Sequence, residues 1–221
     1  MLNRGRRPWL APRSLLRGHT LSELLIASAI GIFILGGLLH THALHTGEAR
    51  SLLAEARLHQ ALAEAAALIT GEMRRAGYWS RAREILNGAS NGYTDIRIID
   101  EDCILYSYER EANSSDGVPG NDERFGLRLR GGALQMKSSD SCGAGGCADC
   151  EGGVWWAMAD PASITVSGLA FALETHQRSL PDGRTVTARS VRYALTAALT
   201  EEPGLSATLA GAADVRNDEI N

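Results

Sequence analysis

The sequence predicts an α+β protein, in which one long N-terminal helix is followed by a head of antiparallel β-sheet. No proline occurs between residues 20 and 77, and this stretch is rich in alanine, leucine, glutamate and arginine, which are good helix formers. Beyond residue 77, apolar residues recur at every second position, which is the period of half-buried strands. With 221 residues, 44% of them hydrophobic, the chain is long enough for one substantial core.

The charge distribution identifies the N-terminus as a targeting segment. Residues 1–18 contain five arginines and no acidic residue, whereas the whole chain has a formal net charge of −4. A basic start followed by an acidic body is typical of a targeting segment. The negative total gives no bulk electrostatic attraction for nucleic acid, so we expect no direct nucleic-acid binding.

The segment that follows is long enough to cross a membrane. Residues 24–39 carry no charge, and counting back to Thr20 gives the roughly 20 residues that a helix needs to span a bilayer core. Because the arginines precede this segment, the positive-inside rule predicts a cytoplasmic N-terminus and an exported body. Glu23 lies among its apolar residues, where a carboxylate needs a partner.

Residues 17–24, RGHTLSEL, resemble the type III signal of type IV prepilins. The resemblance implies that a prepilin peptidase at the inner membrane cuts between Gly18 and His19 and N-methylates His19, where the family usually has phenylalanine. It also implies that Glu23 serves assembly, since its carboxylate can neutralise the N-terminal amine of a neighbouring subunit as helices pack.

Residues 45–77 are predicted to continue the helix with an apolar stripe on one face. Its residues are three or four positions apart, and they are Leu58, Leu62, Ala65, Ile69, Met73 and Ala76. We expect Glu55, Glu64 and Arg74 to lie away from it. A stripe of this kind needs a sheet to pack against, and Gly77 is a natural residue to end the helix.

The end of this helix, MRRAGYW at residues 73–79, is similar to a signature of PilW-type minor pilins, and the similarity continues through residues 103–108 and 123–130. The resemblance implies a pilin-like fold of four parts. These are a leader peptide at 1–18, a transmembrane and polymerisation half of the helix at 19–44, an amphipathic half at 45–77, and a periplasmic β-rich head at 78–221.

Alternating apolar residues predict six strands in the head. They centre on residues 96–98, 104–108, 125–129, 134–136, 169–173 and 191–199. Gly131-Gly132 predicts a hairpin, and residues 181–183, PDG, predict a turn before the last long strand. We expect residues 201–221, with five acidic residues, to fray.

The four cysteines predict disulfides, because an exported head folds in an oxidising compartment. Four cysteines allow three pairings; we expect Cys103 to pair with Cys150, leaving Cys142 with Cys147. A redox-active CxxC at residues 147–150 lacks the usual βαβ setting, and a four-cysteine zinc site lacks a second close pair.

A second loop is rich in oxygen ligands, at Asp116, Asn121, Asp122 and Glu123. An EF-hand alignment places Ala112 at the first ligand position, where it offers no side-chain oxygen, so we interpret the loop as surface rather than as a calcium site. The helix histidines, His40, His42, His45 and His59, have no regular metal spacing. We expect no cofactor and, since no nucleophile with a base stands out, no enzyme activity.

These features favour a structural minor pilin of a type IV pilus. The family resemblance implies that it belongs to a priming or tip complex and that it supports pilus assembly, twitching motility, adhesion or DNA uptake. The partners that the resemblance implies are prepilin peptidase, other minor pilins, the major pilin and a tip adhesin. Two alternatives remain: a type II secretion pseudopilin of the J type, which shares the signal, helix and sheet, and a membrane-anchored metal or redox module using the cysteines.

Overall fold

The computed structural model describes residues 20–110, 117–139, 149–158 and 163–220. A single helix, α1, runs through Leu21–Arg75. The chain divides into two compact units, of which the first ends at Ser51 and the second, Leu52–Asn221, contains the last turns of α1 and the whole head. The helix is continuous over this length because the segment contains no proline, and it ends just before the glycine at position 77.

The first of two sheets in the head has five strands in the order β1-β2-β3-β4-β5, all paired antiparallel. The strands are β1 Arg97–Ile99, β2 Cys103–Ser107, β3 Arg124–Arg130, β4 Ala133–Ser139 and β5 Val154–Ala157. Short 3₁₀ helices precede β1 and β3, at Ala82–Asn87, Gly92–Thr94 and Asn121–Glu123. This sheet contains four of the predicted strands and one, β5, that the sequence analysis did not predict.

The second sheet has four antiparallel strands. Three of them have the order β6-β7-β8, and β9 pairs with the N-terminal end of β7, which β8 does not reach. Its strands are β6 Ile164–Ser179, β7 Thr185–Leu199, β8 Ser206–Asp214 and β9 Glu219–Ile220. Two backbone hydrogen bonds connect the sheets: Val166 N donates to Gly132 O, and Phe171 N donates to Glu101 O, both at 2.8 Å. The α+β fold class is confirmed, with two connected sheets.

Both predicted turns are present. Gly131 and Gly132 connect β3 to β4 and have φ values of +60° and +76°, the left-handed region that a tight hairpin requires at its two central residues. Residues 181–183 turn the chain between β6 and β7. The expectation that residues 201–221 fray is wrong, because β8 and β9 extend the second sheet through residue 220.

The core lies where α1 packs on the sheets. All six residues of the predicted stripe are buried there, at 3% exposure or less, while Glu55, Glu64 and Arg74 are exposed as expected. The stripe packs with apolar side chains from both sheets, among them Ile104, Leu127, Val191 and Leu195. The head therefore folds around the C-terminal turns of the helix, because the helix stripe and the apolar side chains of both sheets bury one another.

Candidate assembly interface and helix junction

A capping box begins α1 at the predicted prepilin signal. Glu23 Oε2 accepts a hydrogen bond from Thr20 N at 3.0 Å, and Glu23 N donates to Thr20 Oγ1 at 3.4 Å. This reciprocal pair is the S/T-x-x-E capping box, which satisfies backbone donors that the first turn leaves unpaired. This capping role of Glu23 was not predicted from the sequence, although the spacing in residues 20–23, TLSE, is that of a capping box. Gly18 and His19 lie outside the described residues.

The N-terminal half of α1 exposes an apolar surface. Every residue from 21 to 50 is exposed apart from the half-buried Gly31, and Phe33 is 85% exposed. This helix is long and apolar enough, by length and composition, to cross a membrane. A helix of this kind is a candidate membrane anchor, because so much exposed apolar surface is stable only in lipid or against other helices.

At the other end of α1, Glu72 joins the helix to strand β2. Its Oε2 accepts hydrogen bonds from the hydroxyls of Tyr106 at 3.0 Å and Tyr108 at 3.4 Å, and Arg75 Nη1 donates to its Oε1 at 3.0 Å. Burial, reinforced by the charge of Glu72, raises the pKa of Tyr108 to about 12 and raises the pKa of Tyr106 well above its usual range. The ring of Phe125 stacks on Tyr108 at 4.1 Å between centroids.

Glu72 is not among the residues predicted from the sequence, although the helix period indicates that it is buried. A spacing of three residues after the buried Ile69 leads to position 72, and a further four leads to the buried Ala76. Glu72 is accordingly only 9% exposed. A carboxylate at a stripe position indicates that Glu72 is buried and needs hydrogen-bond donors, although it does not indicate which residues supply them.

Gly77 ends the helix in a tightly packed turn. Its φ of +78° is left-handed, its N donates to Ser107 O at 2.9 Å, and a Cβ at this position would lie 2.6 Å from Arg216 O. Its carbonyl accepts hydrogen bonds from the side-chain amides of Asn91 and Asn217, both at 3.2 Å. The MRRAGYW motif therefore lies where α1, β2 and the C-terminal segment meet.

Glu123 is held inside the head by backbone and phenolic donors. Its Oε2 accepts from Gly120 N at 2.9 Å and from Tyr93 Oη at 2.8 Å, and its Oε1 accepts from Arg110 N at 3.2 Å. Glu123 is buried, so both of its oxygens face protein donors. This arrangement closes the loop before β3 and does not present the carboxylate as a calcium ligand.

Of the other calcium candidates, two lie within the described residues. Asn121 and Asp122 are exposed on the 3₁₀ helix before β3, and Asp116 lies outside the described residues. Across the described ranges, no three histidine, cysteine, aspartate or glutamate side chains come close enough to hold a metal ion.

The structure joins Cys103 on β2 to Cys150 in a disulfide with 6.5 Å between the Cα atoms, which is the pairing expected from the sequence. Arg128 on β3 donates to the carbonyl of Cys150, and its guanidinium lies 4.1 Å from the ring centroid of Trp155. The disulfide thus fixes the segment before β5 against β2 and β3. Cys142 and Cys147 lie outside the described residues.

The model of one protein family matches residues 51–215, about three quarters of the chain: prepilin peptidase-dependent protein B. The chain belongs to this family. The recognition of a type IV pilin-related protein is thereby confirmed, and the matched range of this PpdB-family chain contains the buried stripe, the Glu72 cluster and the Gly77 turn. No curated protein and no solved structure matches the chain.

Proposed function

We propose that this PpdB-family chain is a structural minor pilin, without catalytic activity of its own. Prepilin peptidase cleaves it between Gly18 and His19 and methylates His19, and the mature chain then joins a type IV pilus in a priming or tip complex. The family match carries this proposal. In this role the chain supports pilus assembly and, through the pilus, twitching motility, adhesion or DNA uptake.

Two features of α1 support assembly through the helix. Glu23 is the only carboxylate from residue 20 to residue 47, and it lies in the first turn of a helix whose N-terminal half is apolar and exposed. A carboxylate in hydrocarbon requires a positive partner. Cleavage after Gly18 creates such a partner, because each processed subunit then begins with an amine close to this depth. The arginine-rich residues 1–18 favour a cytoplasmic N-terminus, with the head in the periplasm until assembly carries it to the cell surface.

Intact-mass analysis of the full chain tests processing. In cells that contain prepilin peptidase, we expect a mature chain that begins at His19, heavier by one methyl group. In cells that lack the peptidase, the chain should keep residues 1–18. A chain that begins near residue 45 would show an ordinary signal peptide and would contradict the proposal.

Two variants separate charge neutralisation from helix capping. Glu23→Ala removes the carboxylate, so it should be cleaved normally but be lost from sheared pili. Thr20→Ala removes the hydroxyl of the capping box and keeps the carboxylate, so it should be cleaved and incorporated. Normal incorporation of Glu23→Ala would contradict the proposed role of Glu23.

The J-type pseudopilin shares the signal, the helix and the sheet, and its partners distinguish it. Co-purification of the processed full chain with other minor pilins and the major pilin supports the pilus, whereas recovery with secretion pseudopilins supports the alternative. The metal or redox module is disfavoured by the disulfide, since both the CxxC and the four-cysteine zinc site need the thiolate of Cys150, which is bonded to Cys103.

A further inference from the structure

Two asparagine-glycine pairs lie in the segment between α1 and β1. They are Asn87-Gly88 and Asn91-Gly92. Asparagine is among the chemically labile residues of proteins, because the backbone nitrogen of the next residue can attack its side-chain amide. A following glycine favours this attack, since it has no side chain to obstruct its own nitrogen. The fold decides whether either pair reacts, because it controls whether these two groups are free to meet.

The second pair, Asn91-Gly92, is fixed by three hydrogen bonds. Asn91 Oδ1 accepts from Tyr93 N at 3.0 Å, and Asn91 Nδ2 donates to Gly77 O at 3.2 Å. Gly92 N donates to Gly117 O at 2.8 Å. The side chain of Asn91 is also buried. Both the amide that would be attacked and the nitrogen that would attack are therefore engaged, and neither can move without breaking contacts of the head.

The first pair, Asn87-Gly88, is exposed at the end of the 3₁₀ helix Ala82–Asn87. Among the described residues, none forms a hydrogen bond with the side chain of Asn87. Gly88 N donates to Ile85 O at 3.0 Å, and nothing lies within 4 Å of a Cβ at Gly88. The 3₁₀ helix has no buried residue, so its last turn opens at little cost in free energy. Opening it frees the nitrogen of Gly88.

We propose that Asn87 is a deamidation site, at which the folded protein acquires a carboxylate or an isoaspartyl link as it ages. Hydroxide removes the proton from Gly88 N, the nitrogen bonds to Cγ of Asn87, and Nδ2 leaves as ammonia after taking a proton from water. The product is a five-membered succinimide. Water then opens this ring at either carbonyl, so residue 87 becomes aspartate or isoaspartate. The whole reaction consumes one water and releases one ammonia.

The modification changes the surface and leaves the core in place. The 3₁₀ helix that carries residue 87 contributes no buried side chain, so we expect the modified protein to remain folded. The new carboxylate lies three residues after Glu84, a spacing at which side chains of a 3₁₀ helix share one face, so it concentrates negative charge there. This inference does not depend on the proposed function, because it uses only the fold of the head.

Peptide mapping of the full chain in detergent, incubated at mildly alkaline pH, tests the inference. Both asparagines lie in one tryptic peptide, residues 84–97, so fragmentation assigns the product to a position. In the folded chain we expect Asn87 to react at least about tenfold faster than Asn91, which must break two further hydrogen bonds. In guanidinium chloride the two rates should become similar. Equal rates in the folded chain, or no product at Asn87, would overturn the inference.

Asn87→Gln is the matched variant, because its longer side chain would have to close a six-membered ring, which forms more slowly. Isoaspartate is measured separately, as methyl groups that an added isoaspartyl methyltransferase transfers from radiolabelled S-adenosylmethionine to the peptide of residues 84–97. We expect this peptide to become labelled after incubation of the folded parent chain and to stay nearly unlabelled in Asn87→Gln. Equal labelling of the two peptides would show that residue 87 is not the site and would overturn the inference.

Discussion

The hydroxyl of Tyr106 on β2 donates a 3.0 Å hydrogen bond to the carboxylate of Glu72 on α1. Tyr108 and Arg75 complete the shell of donors around this carboxylate, which lies at a buried position of the helix. Burying a carboxylate is costly unless it is paired and hydrogen-bonded, so these donors replace the water that Glu72 loses. The contact between helix and head is therefore a specific polar connection within an apolar core.

Replacing Glu72 with alanine should destabilise the head. The change leaves two phenolic hydroxyls in the core without their acceptor, so we expect the free energy of unfolding to fall by about 2–4 kcal/mol. Glu55→Ala is the control, because Glu55 is exposed on the same helix and its side chain only approaches His59 at 3.9 Å. Denaturant unfolding of the full chain in detergent measures both. Equal losses would show that the Glu72 cluster adds no stability.

The raised tyrosine pKa values predict a loss of stability at alkaline pH. Above pH 10 the unfolded chain releases phenolic protons that the folded chain retains on Tyr106 and Tyr108. The stabilisation is therefore fully present below about pH 10 and is lost as the pH rises through about 12, the folded pKa of Tyr108. Denaturation midpoints across this range measure the slope. Tyr108→Phe should flatten it, whereas Tyr78→Phe, which keeps both phenols, should not; identical slopes would contradict the prediction.

The helix was largely predictable and its polar connection was not. A stripe of six residues follows from spacing alone, because burial of an amphipathic helix depends on which side chains share a face. Glu72 also lies on that face, but a glutamate is expected in solvent until a partner is known. Its partners Tyr106 and Tyr108 are more than thirty residues away, and only the fold brings them to α1.

Gly77→Ala should be more destabilising than an equivalent change at Gly88. Both glycines have positive φ, +78° and +89°, so alanine is strained at either position. A Cβ at Gly77 would also lie 2.6 Å from Arg216 O, whereas nothing lies within 4 Å of a Cβ at Gly88. We expect about 1 kcal/mol for Gly88→Ala and about 2–4 kcal/mol for Gly77→Ala, from denaturant unfolding. Similar losses would mean that the C-terminal segment moves aside at no cost.

The C-terminal strands illustrate where composition misleads. Residues 201–221 contain five acidic residues and few large apolar ones, which suggests fraying. Strand β8 forms because β7 offers it a backbone edge over nine residues, and this kind of pairing does not depend on large side chains. Alanine, glycine and threonine give only a weak alternating signal, so the strand could not be read from hydrophobicity.

The disulfide between Cys103 and Cys150 predicts a stability that depends on oxidation. It closes a loop with a sequence separation of 47, so removing it with Cys103→Ser and Cys150→Ser together should cost about 2–4 kcal/mol. Non-reducing peptide mapping of the full chain should find these two cysteines in one linked peptide pair. A link from Cys103 to Cys142 or Cys147 would contradict the structure.

Gly211 should tolerate no side chain, because the ring of Tyr193 on β7 lies across it. A Cβ at Gly211 would be 2.4 Å from the hydroxyl oxygen of Tyr193, which donates to Ala66 O at 3.0 Å and lies 2.7 Å from Thr70 Oγ1. Gly211→Ala must therefore displace the ring from its two contacts with α1. We expect a loss of about 1–3 kcal/mol in denaturant unfolding.

A double-mutant cycle checks that the loss acts through Tyr193. In a Tyr193→Ala background the ring is absent, so the further change Gly211→Ala should cost little, which makes the two effects strongly non-additive. Gly204→Ala is the matched control, since nothing lies within 4 Å of a Cβ there. Additive losses at Gly211 and Tyr193 would show that β8 adjusts independently of the helix. Coupled losses would show that β8 is held in register by the same tyrosine that binds β7 to α1.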